Sequence, residues 1–298
     1  MAEWRVSAAL RCGMGRVRHN NEDAYYFNGA FPTPEDMDEE KRLRTEIAGE
    51  GTLWAVCDGM GGMASGEVAS QTAVESMREL QRDIQAGDFA TPVQRWAAET
   101  DRRIMEKTRG GGCTVVMLAV AGNLARIAHI GDSRIYRFHE DRLERLTEDH
   151  SKVGLLVRAG IITEEEARTH PQRHVITRAL GLSGDSECDA TIGKAVILAG
   201  GDRFLLCSDG VTDMLTDEEI EGIFRLNAPV EETAETIYAM AMESGGVDNT
   251  TVLVLETDTE DQTEEDSPEA GWNEDYEDDF DQTLDFAEEE TENRTKQP

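Results

Sequence analysis

Thr52-Leu-Trp-Ala-Val-Cys-Asp-Gly-Met-Gly-Gly62 is an apolar run that meets a carboxylate and then a cluster of glycines. Thr52 to Cys57 reads as a buried strand. Asp58 at its end is costly to desolvate unless something neutralises it. Three other segments set an aspartate beside apolar residues: Asn21-Glu22-Asp23, Cys207-Ser208-Asp209-Gly210 and Val247-Asp248-Asn249. An isolated Asp-Gly in a loop is ordinarily a turn. Asp58, Asp209 and Asp248 instead follow strand-like or helix-end segments, so several such ends can converge on one point. Converging carboxylates repel unless cations sit between them. The economical reading is a cluster of hard divalent ions on oxygen ligands.

Outward from this stretch, further strand-like runs are Ala24–Phe27, Cys113–Val120, Leu124–Ile130, Ser133–Phe138, Phe204–Ser208 and Thr250–Glu256. Ala121-Gly-Asn123 and Gly131-Asp132 read as hairpin signals between them. From Glu67 to Ile84, Ala69, Ala73, Met77, Leu80 and Ile84 share one helical face. From Pro229 to Glu243, Val230, Ala234, Ile237 and Ala241 do the same, with a stop at Gly245-Gly246. Thr163-x-x-Glu166 and Thr216-x-x-Glu219 read as capping boxes. Strand blocks with hairpins, plus separate long helices, predict an α+β fold of antiparallel sheets covered by helices. Residues 28–51, with Pro32, Pro34 and many charges, read as a surface loop or small helix.

The 298 residues carry 29 Lys+Arg against 62 Asp+Glu, a formal net charge of -33, which argues against nucleic-acid binding and an anionic membrane surface. No apolar run approaches the roughly 18 residues of a membrane span. Met1-Ala-Glu-Trp-Arg-Val has no signal-peptide core. Cys12, Cys57, Cys113, Cys188 and Cys207 lack zinc-knuckle spacing and read as buried free thiols of a reducing compartment. These features predict a soluble cytoplasmic protein, read as a monomer. Composition breaks near Glu256: residues 257–298 hold 18 acidic and 2 basic residues, hence -16 of the net charge. That acidic tail is predicted to be disordered alone.

The stretches Arg18-His-Asn-Asn-Glu-Asp-Ala24, Val56-Cys-Asp-Gly-Met-Gly-Gly62, Gly131-Asp-Ser-Arg134, Cys207-Ser-Asp-Gly210 and Asp248-Asn-Thr-Thr251 carry a resemblance. In this order they resemble the motif set of the metal-dependent protein phosphatases of the 2C family, in its bacterial serine/threonine form. The resemblance covers roughly residues 5–256, and five motifs in order are very specific. It implies two antiparallel sheets packed face to face, helices on both outer faces, a metal site at one edge, and a small helical flap over residues 149–184. Residues 1–256 are accordingly read as the catalytic domain.

The resemblance also implies roles. Asp58 would bridge two ions, Asp209 and Asp248 would complete the first, and Glu22 with the Gly59 carbonyl the second. Glycine at 59 lets the backbone turn that carbonyl inward. Few carboxylates and many waters suit Mn²⁺ or Mg²⁺. A water held between two such ions is acidified and can attack phosphorus. Asp132 would join Asp209 at a third ion; as a residue alone it reads as a hairpin-turn aspartate. Asp23 would orient waters around the ions or cap a turn. Arg18 would grip the substrate phosphate, for which a guanidinium is geometrically suited; its plain alternative is an ion pair.

Two departures from the family pattern affect the proton donor. Some relatives place a histidine where Met60 stands, and many bacterial ones where Met63 stands. The donor to the leaving group is then a metal-bound water. His174 replaces an asparagine common in the flap and reads as a packing residue. No His-Cys-x5-Arg signature is present, and Gly110-Gly-Gly112 lacks the Lys-Ser/Thr of a nucleotide-binding loop.

The expected activity is hydrolysis of phosphoserine and phosphothreonine on proteins, opposite a bacterial-type kinase. The alternatives are a catalytically weak phosphoprotein-binding or scaffold protein, and a regulatory phosphatase acting on an anti-anti-sigma-type phosphoprotein. In the tail, Trp272, Tyr276, Phe280 and Leu284 recur every four residues. They read either as part of a solubilising tail or as a segment that folds on a partner.

Overall fold

A strand that is apolar on both faces must lie between two other layers. Val252-Leu-Val-Leu255 and Leu53-Trp-Ala-Val-Cys57 are such strands, and their alternate side chains enter different cores. Leu253 and Leu255 meet Trp54 and Val56 between two sheets. Val252 and Val254 face one set of helices, with Phe224 and Ile237. Leu53, Ala55 and Cys57 face the other, with Met77, Leu80 and Trp96. The result is a helix–sheet–sheet–helix stack.

This arrangement comes from a computed structural model that describes residues 4–48, 51–61, 65–84, 88–184, 186 and 188–259. In chain order the elements are β1 (Trp4–Gly13), β2 (Asp23–Phe27), a 3₁₀ turn (Pro34–Asp36), β3 (Lys41–Ala48), β4 (Thr52–Met60), α1 (Ser65–Ile84), α2 (Ala90–Lys107), β5 (Gly112–Cys113), β6 (Val115–Ala121), β7 (Leu124–Ile130), β8 (Arg134–His139), β9 (Arg142–Arg145), α3 (Lys152–Arg158), α4 (Glu164–Thr169), β10 (Thr191–Ile192), β11 (Val196–Ile197), β12 (Asp202–Cys207), α5 (Asp209–Thr212), α6 (Asp217–Arg225), α7 (Val230–Glu243) and β13 (Thr250–Thr259). One sheet has the order β3-β1-β13-β12-β8-β9. The other runs β10-β7-β6-β4-β2, with β11 beside β7 and β5 beside β4.

The expected α+β sandwich is therefore observed, and the helix faces of α1 and α7 are buried as their spacing predicted. Both capping boxes are present, at Thr163–Glu166 and Thr216–Glu219. The five cysteines are free and buried.

Four readings need correction. Residues 28–51 are not merely a loop or small helix: β3 pairs with β1 at the sheet edge, with Leu43 and Ile47 turned towards the core and Arg42, Arg44 and Glu46 outwards. Gly131-Asp132 is not a hairpin, because β7 and β8 belong to different sheets and the turn crosses between them. β4 does not stop at Cys57 but carries Asp58 and Gly59 within its pairing, opposite Asp23 and Cys113. β13 runs to Thr259, beyond the compositional break. Strand β1 and helix α2 are elements that the hydrophobic pattern did not mark.

Candidate metal centre

Strand ends from both sheets meet at one edge. β4 supplies Asp58, the β12–α5 junction Asp209, the start of β13 Asp248, and the segment before β2 Glu22. With Arg18, Gly59, Met60, Met214 and Val247, these groups line a cleft of about 1100 Å³. A second cavity of about 270 Å³ adjoins it, lined in part by Asp132, Asp149, Asp209, Asp213 and His174. Every metal-site residue expected from the sequence therefore lies at or beside one cleft; Asp23 sits behind it.

The backbone around the carboxylates is fixed by polar side chains. Asn249 donates from Nδ2 to the carbonyls of Met14 (3.0 Å) and Asn20 (2.9 Å), and accepts from the Glu22 N–H (2.8 Å). It ties the chain before β2 to the start of β13. Thr114 Oγ1 accepts from the Asp58 N–H (3.2 Å), and the Thr114 N–H donates to the Asp58 carbonyl (2.9 Å). Thr114 Oγ1 also lies 2.6 Å from Ser133 Oγ, beside Asp132. Close backbone approach explains Gly59: a Cβ there would meet the carbonyl oxygens of Gly66 at 2.3 Å and Glu22 at 2.5 Å. Its conformation is not left-handed; its value is the absence of a side chain where three chain segments touch.

Asp23 is buried, and its Oδ2 accepts from Ser208 Oγ (2.7 Å) and Thr251 Oγ1 (2.7 Å). It thus joins β2 to the neighbouring sheet, and the turn-cap alternative fails because it sits within a strand. Its Oδ1 is buried with no hydrogen-bond partner among the described residues, as is Oδ1 of Asp132. Arg18 is exposed and donates from Nη2 to Asp248 Oδ2 (2.7 Å). It is therefore ion-paired, and its other N–H donors have no partner among the described residues.

The electrostatics follow from burial and crowding. Burial, then the charges of Asp209, Asp23, Asp132 and Asp248, pushes the Asp58 carboxyl well above the usual range. Burial, then Asp132, Asp213, Asp248 and Asp23, does the same to Asp209. Burial, reinforced by neighbouring carboxylates, raises Asp23 and Asp132 to about 7. Proteins seldom collect like charges in one place without a counter-charge. The donors are oxygens, some of them unpartnered, so the site fits hard divalent cations.

Three groups were missed from sequence. One ligand atom each from His174, Asp209 and Asp213 lies within 4.8 Å of the others. His174 is exposed, 3.6 Å from Asp213 Oδ2, rather than packed in the flap as expected. Asp149 receives a bidentate pair from Arg134 (3.1 and 2.8 Å), which fastens the start of the flap to β8. No local pattern distinguishes these residues; the fold alone brings them together. Met63 lies outside the described residues.

The profile for protein phosphatase 2C matches residues 41–244. The chain belongs to the protein phosphatase 2C family. Its relatives include the serine/threonine phosphatase Stp of Listeria innocua, 34% identical over 261 residues, which cover 84% of this chain and 96% of that one. Protein phosphatase PhpP of Streptococcus pneumoniae is 37% identical over 267 residues, covering 86% and 99%. Among solved structures, the serine/threonine phosphatase PstP/Ppp of Mycobacterium tuberculosis aligns with a TM-score of 0.71 and 34% identity over 85% of this chain and 98% of that chain. The PstP catalytic domain in complex with two manganese ions aligns with a TM-score of 0.69 and 33% identity, over 86% and 99%. This 2C-family chain is thus a metal-dependent phosphatase, and its acidic cleft lies where the sandwich edge opens to solvent.

Proposed function

We propose that the chain hydrolyses phosphoserine and phosphothreonine in proteins at the cleft bounded by Arg18, Asp58, Asp209 and Asp248. The observation that carries this reading is the convergence of Glu22, Asp58, Asp209 and Asp248 from separate strand ends into one cleft beside an arginine. Asp58 would serve two ions, one together with Asp209 and Asp248 and the other with Glu22 and the Gly59 carbonyl. Asp132 and Asp209 would hold a third. Mn²⁺ or Mg²⁺ suits this oxygen set. When bound, such ions polarise phosphoryl oxygens and lower the pKa of water to give a nucleophile near neutral pH.

The chain's own groups do the rest. Arg18 orients the phosphate with the donors that Asp248 leaves free. Asp23 holds the two sheets in register behind Asp58, and its free Oδ1 faces no protein donor among the described residues. Met60 lines the cleft where some relatives carry a histidine, and its side chain has no proton to give. The histidine that does line the cleft is His174, from the flap.

The acidic composition and buried thiols support a cytoplasmic monomer that opposes a bacterial-type kinase. Among the described residues no helix is long and apolar enough to cross a membrane. We assign residues 1–256 to catalysis, 149–184 to the flap, and 257–298 to recruitment of a phosphoprotein partner through Trp272, Tyr276 and Phe280. From residue 260 onward the tail lies outside the described residues, and residues 257–259 complete β13. The test is turnover of p-nitrophenyl phosphate and of phosphoserine and phosphothreonine peptides with Mn²⁺ and after chelation. Turnover with Mn²⁺ that chelation abolishes supports the reading; no turnover with any ion overturns it. Removal of 260–298, which keeps the whole of β13, should spare p-nitrophenyl phosphate and slow hydrolysis of a native phosphoprotein.

A further inference from the structure

The cleft does not end at the carboxylates. Ile176 and Leu182 line it, and the same two side chains line a neighbouring groove of about 670 Å³ along the end of the flap. The two spaces therefore share an apolar wall. Leu182 is 50% exposed, so half of its side chain is open to a ligand.

Leu182 is also held in place. The buried carboxylate of Asp101, on α2, accepts from the Gly181 N–H (2.7 Å) and from the Ser183 hydroxyl, the residues on either side. Leu180 exchanges two backbone hydrogen bonds with Cys113 of β5. Leu182 itself lies over Gly112, so closely that a Cβ there would meet its Cγ at 2.8 Å. Gly112 pairs in register with Met60, two residues beyond Asp58 on β4. An exposed leucine is thus fixed, at little conformational cost on binding, to the strand that carries the central carboxylate.

The groove offers an acidic neighbour no free cation among the described residues, and the exposed Asp189 carboxylate in its lining would repel one. Arg178 donates to the Asp189 carbonyl and to Thr191 Oγ1 (3.0 Å), and Ser183 is taken by Asp101. The ready contact surface is aliphatic. We infer that Ile176 and Leu182 form a specificity shelf for an apolar side chain flanking the phosphorylated residue. The preferred substrates are therefore phosphopeptides with a large aliphatic neighbour, rather than a hydroxylated or acidic one. This inference rests on the proposed phosphatase activity and adds the substrate class.

The experiment uses the full chain with Mn²⁺ and phosphothreonine peptides varied among Leu, Ser and Glu at the two positions on either side of the phosphoresidue. At one position Leu should exceed Ser in kcat/KM by about tenfold, mainly through KM. Leu182→Ser should bring that ratio close to unity, and Leu182→Met should retain it. Ile176→Thr, from the other half of the shelf, should lower the same ratio. Because the readout is a ratio between two peptides, a general loss of activity does not imitate the effect. Equal turnover of Leu and Ser peptides at every position overturns the shelf alone, as does a ratio that survives Leu182→Ser. Failure of the Mn²⁺ enzyme to hydrolyse any of the peptides overturns the phosphatase reading together with the shelf.

Discussion

Helix α1, behind the cleft floor, buries Ala69, Ala73, Met77, Leu80 and Ile84, whereas the flap helices α3 and α4 bury only Val153 and Ala167. The floor carboxylates stand on strands buried on both faces and are tied across sheets by Asn249, Thr251 and Ser208. The flap helices are attached mainly by polar links: Arg134 to Asp149, the His150 N–H to the Gly131 carbonyl (2.9 Å), and Arg168 to the Thr212 carbonyl (2.9 Å). A region with few buried apolar contacts opens locally at lower free energy. The contrast separates two tasks. Groups that must hold a fixed geometry, Leu182 at the anchored end of the flap included, are tied to the sandwich, whereas α3 and α4 are lightly attached.

The largest expected effect is on the floor. Asp58→Asn or Asp209→Asn should reduce hydrolysis to the background rate while circular dichroism shows a folded chain. Near-normal turnover in either variant at saturating Mn²⁺ would remove the floor's assigned role. Next comes Asp132, at the crossing turn where floor and flap meet. Asp132→Ala should lose much of the activity on phosphoproteins, and calorimetry should show one weak Mn²⁺ site fewer. Unchanged stoichiometry and rate would make it a simple crossing-turn residue. A smaller effect is expected for Arg18→Ala, which leaves the carboxylates intact and should chiefly raise KM for a phosphopeptide. An unchanged KM would restrict Arg18 to its ion pair with Asp248. The gentlest probe is hydrogen exchange: amides of α3 and α4 should exchange through smaller openings than those of α1 and β6. Equal protection in both regions would erase the contrast.

The floor was legible in the sequence for a physical reason. An apolar run that ends in a carboxylate violates the local rule of burial, and Asp58, Asp209 and Asp248 each mark such a violation. The flap and edges were less legible. Asp149 lies among charged residues, Asp213 follows so closely on Asp209 that it adds no separate signal, and His174 sits in the flap far from both in sequence, so their convergence exists only in the tertiary structure. β3 was hidden because an edge strand with one solvated face alternates Arg42, Arg44 and Glu46 with its apolar residues. In α2 the stripe of Val93, Trp96, Ala97 and Ile104 is diluted by charged neighbours, and Asp101 on the same helix serves the flap turn rather than solvent.

The central claim is that the clustered carboxylates await divalent ions, and thermal unfolding tests it most directly. In chelator, Asp23 and Asp132 have carboxyls raised to about 7 by burial. A folded-state pKa above the unfolded one contributes stability that is complete below about pH 4 and is lost as pH rises through about 7. The chelated chain should therefore melt lower at about pH 8 than at about pH 5.5, and Asp58→Asn should raise its Tm by removing a repelled charge. Mn²⁺ should reverse both trends: at a hundredfold excess over Kd a single site adds about 2.7 kcal/mol, or roughly 5–10 °C for a domain of this size. That gain should grow with pH, as bound ions displace the protons. Asp58→Asn and Asp209→Asn should forfeit it. A wild-type Tm that Mn²⁺ leaves unmoved at about pH 8, or an equal rise in the Asp58→Asn and Asp209→Asn variants, would contradict the account.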